Sequence, residues 1–417
     1  MSCRITISHP HGSLNSYHAA AAFAFVGQLS TFELGITSNG TMSGLLANLH
    51  GSLSKIQQRD YKKVPNCQQR EHLIWETFSR AGRLIKSKGP TANISWYDVL
   101  FCGHDWQVAK TLAEDIGAVY AYEDGALRTF TAARQISLTT IYELPAGYYA
   151  GAEQELMRVR EERPDFNVEI KIEPEWKRRR KDRELDLARL VVVPCKWAAD
   201  TLRFSKVYKE KQIIKIPYGT PADVMAAKST CPVGPFTVLF AGQVGVRKGV
   251  PYLLEAWSQL HLKNARLLLA GGMRLDGSFM SRHGEDVEYI GMLSRADLLE
   301  VMKKVDLFVF PSLADGFGMV IGEAMAAGTP VLTTHNTGGP ELITNGQEGW
   351  CVPAHDVQAL AERLEWAYLH RQELFEMGRL ARIRAESWSW SRYGERLVKE
   401  LTPHLSGDNV ACLGQYV

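Results

Sequence analysis

Two carboxylates, Asp315 and Glu323, stand eight positions apart around a glycine-rich stretch, Asp315-Gly316-Phe317-Gly318. The surrounding run, residues 305–334, reads VDLFVFPSLADGFGMVIGEAMAAGTPVLTT. The apolar residues 307–310, bounded by Pro311, predict a strand buried in a parallel sheet. Residues 319–327 predict a helix closed by Gly328, and Pro330 opens a further apolar strand over 331–333. Gly316 and Gly318 let the backbone approach a ligand closely. Met319 opens the helix, whose free N–H groups and dipole favour an anion. Carboxylates beside an anion would repel it, so Asp315 and Glu323 fit better as acceptors for hydroxyl groups. The pattern predicts a site for a phosphate with sugars on both sides.

A second cluster carries the opposite charge. After a predicted strand over 236–240 comes Ala241-Gly242-Gln243-Val244-Gly245-Val246-Arg247-Lys248-Gly249, then a predicted helix over 252–260. A basic pair in a glycine-rich loop before a helix suits a diphosphate.

The run D-G-F-G-M-V-I-G-E-A-M-A-A-G-T-P-V resembles the donor-sugar motif of retaining glycosyltransferases, most of all family 4 (glycosyl transferases group 1). Their pattern is E-x7-E inside E-G-F-G-x4-E-A-M-A-x-G-x-P-V, and the departure here is Asp315 for the first Glu. The family's G-R-x4-K-G pattern is matched at Lys248, while Gln243 stands where the Arg usually is. The resemblance implies a GT-B architecture: two Rossmann-like, doubly wound parallel-sheet α/β domains facing a cleft. It implies sugar transfer from a nucleotide-diphosphate sugar, a UDP- or GDP-sugar, to a hydroxyl acceptor such as a glycan or lipid-linked sugar. In that reading Lys248, Gln243 or Arg247 and the amides near Gly318 and Met319 hold the leaving diphosphate. Glu323 binds the ribose. Asp315, with the Gly316, Phe317 and Gly318 backbone, holds the donor sugar. The turn at Gly291-Met292-Leu293 holds the base through main-chain groups, with Leu293 at its end. No Asp-x-Asp pair of the kind metal-dependent transferases use is present, so no metal is expected.

The first half of the chain is expected to supply the facing domain. Residues 4–8 predict a strand, followed by a turn holding Gly12 and Ser13 and a helix over 17–29, a nucleotide-fold opening. Many relatives carry a glycine pair in this turn, and Gly12 and Ser13 are the donor-side candidates there. Helices are expected over 43–55 and 67–86. Residues 96–102 predict an apolar strand ending at the turn His104-Asp105-Trp106. Ligands of open α/β sheets bind beyond the carboxyl ends of strands. The turn is similar to the H-D-W of family 4 and of starch and glycogen synthases, which implies that His104 contacts the donor sugar. Glu123, Asp124 and Glu143 follow further predicted strands and are candidates for the acceptor side or simply loop acids. Cys195 replaces the usual Ser after the strand over 190–193, and Tyr218-Gly219-Thr220-Pro221 resembles the family's interdomain turn. The expected domains are 1–217 on the acceptor side, 218–390 on the donor side, and a returning helix with a frayed tail over 391–417.

The whole chain sets bounds. Its 417 residues suit about two domains, and a net charge of +2 is too small to argue for nucleic acid. Its 7 cysteines are scattered without a C-x-x-C pair, which predicts reduced thiols in a cytoplasmic protein and no zinc site. The charge-dense run Lys177-Arg178-Arg179-Arg180-Lys181 leaves two readings open. It is a solvated helical face, or a patch for anionic lipid heads and so a peripheral contact at the inner membrane face. Two other functions share the pattern: a GT-B epimerase acting on nucleotide sugars, and a non-catalytic sugar-nucleotide binding protein. A nicotinamide dehydrogenase does not fit, since neither glycine-rich loop reads G-x-G-x-x-G with an acid about 20 residues on.

Overall fold

The computed structural model describes residues 4–35, 62–84, 89, 91, 93–166, 172–208, 211–224, 226–276 and 286–405. The helix expected over 43–55 and the tail beyond 405 lie outside them. Short apolar runs alternate with helices, and runs buried on both faces must be covered by helices on both sides. The result is two all-parallel sheets. The first has the order β3-β2-β1-β4-β5-β6-β7. Its strands are β1 (Ile5–Ser8), β2 (Leu29–Leu34), β3 (Gln69–Glu71), β4 (Ala118–Tyr122), β5 (Thr139–Glu143), β6 (Leu190–Val193) and β7 (Gln212–Lys215). The second has the order β10-β9-β8-β11-β12-β13. It comprises β8 (Phe236–Ala241), β9 (Ala265–Ala270), β10 (Val287–Gly291), β11 (Leu307–Phe310), β12 (Val331–Thr334) and β13 (Gly349–Val352). This is the paired doubly wound arrangement of the GT-B architecture.

In each sheet the strand order reverses beside the first strand, between β1 and β4 and between β8 and β11. Ligands of such sheets bind in the crevice these switch points open at the strands' carboxyl ends. The late helix Trp390–Leu401 crosses back to the first sheet. There Trp390 stacks flat on His18 of the helix Leu14–Phe25, centroids 4.3 Å apart, and Gly394 seats against Ala22. No helix among the described residues is long and apolar enough to cross a membrane.

Three local expectations are corrected. The helix expected over 67–86 is preceded by the strand Gln69–Glu71 and runs Leu73–Leu84. The first helix runs Leu14–Phe25, started by Ser13, and its expected end over 26–29 instead turns through Gly27 into β2. The apolar stretch from Trp96 is the start of a helix, Trp96–Thr111, and not a strand. Its aromatic and β-branched residues suggest a strand by type. Ser95 and Asp98, however, close a reciprocal capping box, which satisfies the first free N–H groups and starts a helix.

Candidate functional site

At the second switch point two loops meet. The loop after β8 carries Gln243, Arg247 and Lys248, and the loop after β11 carries Asp315 to Gly318. They approach so closely at Gly249 that a Cβ there would lie 1.9 Å from the Pro311 carbonyl oxygen, and Gly249 has a left-handed φ of 70°. Lys248 therefore reaches across and its ammonium pairs with the Asp315 carboxylate, both largely buried. Burial pulls the Lys248 pKa down, and Asp315 opposes that. The other Asp315 oxygen accepts from the Phe317 N–H at 3.2 Å. Arg247 Nη1 donates to the Ala314 carbonyl at 3.2 Å, so both cations of the loop turn toward the Asp315 segment. Gly318, at φ 72°, opens the helix Met319–Ala326, and Met319 stands partly exposed at its first position.

Glu323 lies one turn into that helix. Its carboxylate accepts from Arg295 Nη2 at 2.9 Å. Burial raises the Glu323 pKa, with Arg295 acting against it. Arg295 opens the helix Arg295–Lys304 and escaped the sequence reading. No local signal marks it, since its carboxylate partner lies 28 positions on in the chain. Next to this helix lies a cavity of about 560 Å³ at the carboxyl ends of β8, β9 and β10. Gln243 and Leu293 line it, together with Gly242, Gly271, Gly272, Met292 and Leu298. Met273 and Arg274 line it too and were not anticipated.

On the first sheet the placements differ more. Gly12, at φ 57°, turns the chain after β1, and the Ser13 hydroxyl is engaged in capping the helix Leu14–Phe25. His104 sits mid-helix and fully buried, not at a strand end. Its Nε2 lies 3.1 Å from Ser8 Oγ, its ring meets His72 edge-on at 5.1 Å, and its Nδ1 has no hydrogen-bond partner. Burial, then His72, His9 and His11, hold its pKa well below the usual histidine value. Asp105 caps a different helix, Leu127–Gln135, accepting from the Arg128 and Thr129 N–H groups at 2.8 Å each. The strand that ends at the switch point beside β1 is β4, so the residues just beyond its carboxyl end are Glu123 and Asp124.

None of the three proposed acceptor-side acids is a free loop acid. Glu123 lies 3.3 Å from Lys181, with burial pushing its carboxyl up to about 7. Asp124 lies 3.1 Å from Lys177. Glu143 is 1% exposed. It accepts from Asn15 Nδ2 at 2.9 Å and from the hydroxyls of Tyr120 and Tyr218, so it does not line an acceptor surface. The basic run is corrected with them. Arg178 pairs with Glu153, Arg180 with Asp105 and Glu184, and Lys181 with Glu173. Only Arg179 of the five stands well exposed, paired with Glu175. The run is not a solvated face but one side of an ion-pair network.

Residues 235–370 match the family model described as Glycosyl transferases group 1. The D-inositol 3-phosphate glycosyltransferase of Pseudarthrobacter chlorophenolicus is 31% identical over 170 residues, 38% of this chain and 40% of that protein. The capsular polysaccharide biosynthesis glycosyltransferase CapM of Staphylococcus aureus is 28% identical over 141 residues, 31% of this chain and 36% of that protein. The similarity thus spans less than half the length of these relatives. Among solved structures, Anabaena HepE in complex with UDP aligns with a TM-score of 0.62 at 18% identity, covering 96% of this chain and 99% of that one. Sucrose-phosphate synthase from Thermosynechococcus elongatus aligns with a TM-score of 0.58 at 18% identity, covering 95% and 98%. These two likenesses establish the GT-B fold over nearly the full length.

Proposed function

We propose, for a GT-B chain whose residues 235–370 belong to the glycosyl transferases group 1, that the protein moves a sugar from a nucleoside-diphosphate sugar to a hydroxyl acceptor. The observation that carries the reading is the meeting of Lys248, the helix Met319–Ala326 and Glu323 at the switch point, beside the cavity at Gln243 and Leu293. In this reading the base occupies the cavity and the ribose hydroxyls donate to Glu323. The diphosphate lies between Lys248 and the amides at the helix start, where positive charge stabilises the leaving group. Lys248 is paired with Asp315, so in this reading the ammonium is shared between that carboxylate and the donor's phosphate. Asp315 then accepts from a donor-sugar hydroxyl. Arg247 is the cation nearest in sequence to replace the family arginine that Gln243 lacks. Retention of configuration and metal independence belong to the proposal through the family resemblance, as does an acceptor of glycan or lipid-linked type. HepE, solved with UDP and with UDP-glucose, supports a uridine donor.

A thermal-shift panel of UDP, GDP, ADP, CMP and NAD tests it. A ligand at about a hundred times its dissociation constant stabilises by roughly 2.7 kcal/mol, which at about 2–4 °C per kcal/mol for domains of this size is a shift of about 5–11 °C. A shift with one nucleoside diphosphate is expected. No shift with any of them would overturn the reading.

A further inference from the structure

Gly316 does not have a left-handed φ, so its backbone does not require glycine. What requires it is the other sheet. A Cβ on Gly316 would lie 1.8 Å from the Pro145 carbonyl oxygen and 2.4 Å from the Ala146 Cα, both backbone atoms just beyond β5. The Gly316 carbonyl accepts from Cys195 Sγ at 2.8 Å. Cys195 follows β6, is fully buried, and also caps the helix Lys196–Thr201 through the Ala198 N–H. Either side of this contact the two halves are joined again. Phe317 meets Tyr218 edge-on at 5.2 Å, and Tyr218 is tied to Glu143. Glu341 accepts from the Lys196 N–H at 2.9 Å and from Lys215 Nζ at 2.8 Å.

We infer that Gly316 and Cys195 are positioning residues. Through them the loops after β5 and β6 set the segment that carries Asp315, so the sugar-holding part of the donor site is complete only when the two sheets are apposed as here. This rests on the sugar-transfer reading and adds to it two residues that position the segment carrying Asp315. Nucleotide binding belongs to Lys248, Glu323 and the cavity, within the second sheet. Placement of the sugar depends on contacts from the first. The family resemblance casts Gly316 as room for a ligand; the geometry makes it room for the other domain's backbone. Cys195 acts here only as a hydrogen-bond donor and helix cap, with its thiol pushed up to about 12 by burial and so protonated.

The test uses the full chain with Gly316→Ala, Cys195→Ala and Cys195→Ser. Gly316→Ala should bind UDP within about threefold of the parent protein by calorimetry while kcat falls at least about a hundredfold, because the methyl group prevents apposition. Cys195→Ala should lose about tenfold in kcat, the scale of one buried hydrogen bond, and Cys195→Ser should recover most of it because the hydroxyl still donates to Gly316. Small-angle scattering reads apposition without turnover, and Gly316→Ala should be more extended than the parent. Unchanged scattering and turnover in Gly316→Ala overturn the inference. So does loss of UDP binding in parallel with turnover, which would return Gly316 to the ligand. If Gly316→Ala does not fold, equal kcat in Cys195→Ala and the parent overturns it instead. Should the parent itself turn over no nucleotide sugar, the functional reading fails, and the scattering comparison still decides the positioning role.

Discussion

Lys248 and Asp315, 67 positions apart in the chain, are paired with each other at the second switch point. The sequence assigns each a separate ligand contact, phosphate for one and sugar for the other. The structure joins the two side chains, so in the proposed reading their contacts are coupled through one ion pair. Removing one partner of a buried pair strands the other. Lys248→Ala should therefore weaken UDP binding by about tenfold to a hundredfold, the range of one charge-assisted hydrogen bond. Asp315→Asn frees the ammonium, and should hold UDP at least as tightly as the parent while turning over poorly. Calorimetric titration of both variants with UDP separates the two roles; equal loss of affinity in both would contradict the coupling.

Glu323 and Arg295 form a more exposed pair, with the guanidinium side about half solvent-accessible. Exposed pairs contribute little, about 0–1 kcal/mol. Glu323→Ala should thus leave the melting temperature within about 2 °C of the parent while lowering kcat/KM at least about tenfold. A large stability loss would make Glu323 a structural residue.

Glu143 should behave in the opposite way. Asn15, Tyr120 and Tyr218 all donate to it in a buried pocket. Glu143→Leu takes the acceptor from the Tyr120 and Tyr218 hydroxyls and leaves Asn15 Nδ2 only the Tyr218 oxygen at 3.0 Å, each buried donor left unmet being a penalty of about 1–3 kcal/mol. We expect a loss of about 3–5 kcal/mol in stability, read from the urea midpoint at unchanged m-value. A variant of parental stability would show that the carboxylate serves a ligand and not the fold.

The His18 ring, stacked on Trp390, has its pKa lowered from 6.5 to about 4 by burial first and by Lys63 and Arg295 after it. The fold therefore favours the neutral ring. Its contribution is fully present above pH 6.5 and is lost as pH falls toward about 4. This single group accounts for up to about 3 kcal/mol of acid destabilisation of the returning helix. Melting temperatures of the parent and of His18→Gln, taken at pH 7 and pH 4.5, should differ in slope. The variant should lose less on acidification; parallel losses would remove His18 from the account.

The second domain was legible because its strands are short, largely apolar and punctuated by glycine and proline, and because most of its candidate site residues lie in two continuous loops. Residues 305–334 fold as read, from the strand Leu307–Phe310 through the helix Met319–Ala326 to the strand Val331–Thr334. The first domain was less legible because long-range partners decide its side chains. His104 illustrates this: a strand-like composition hid a capping box at Ser95 and Asp98, and the argument from strand ends belonged to β4. The run from Lys177 to Lys181 reads as surface until Asp105, Glu123 and Glu153 from other elements are placed against it. Arg295 was missed because nothing local marks its partner, 28 positions away in Glu323.

The most direct measurement of the central claim is nucleoside-diphosphate release from UDP- and GDP-sugars, with and without a mixed glycan acceptor pool, for the parent protein and Lys248→Ala. The account predicts release from one donor class that rises with acceptor and falls at least about tenfold in the variant. Release from none of the donors, or conversion of a donor to an isomer with no acceptor present, would contradict it.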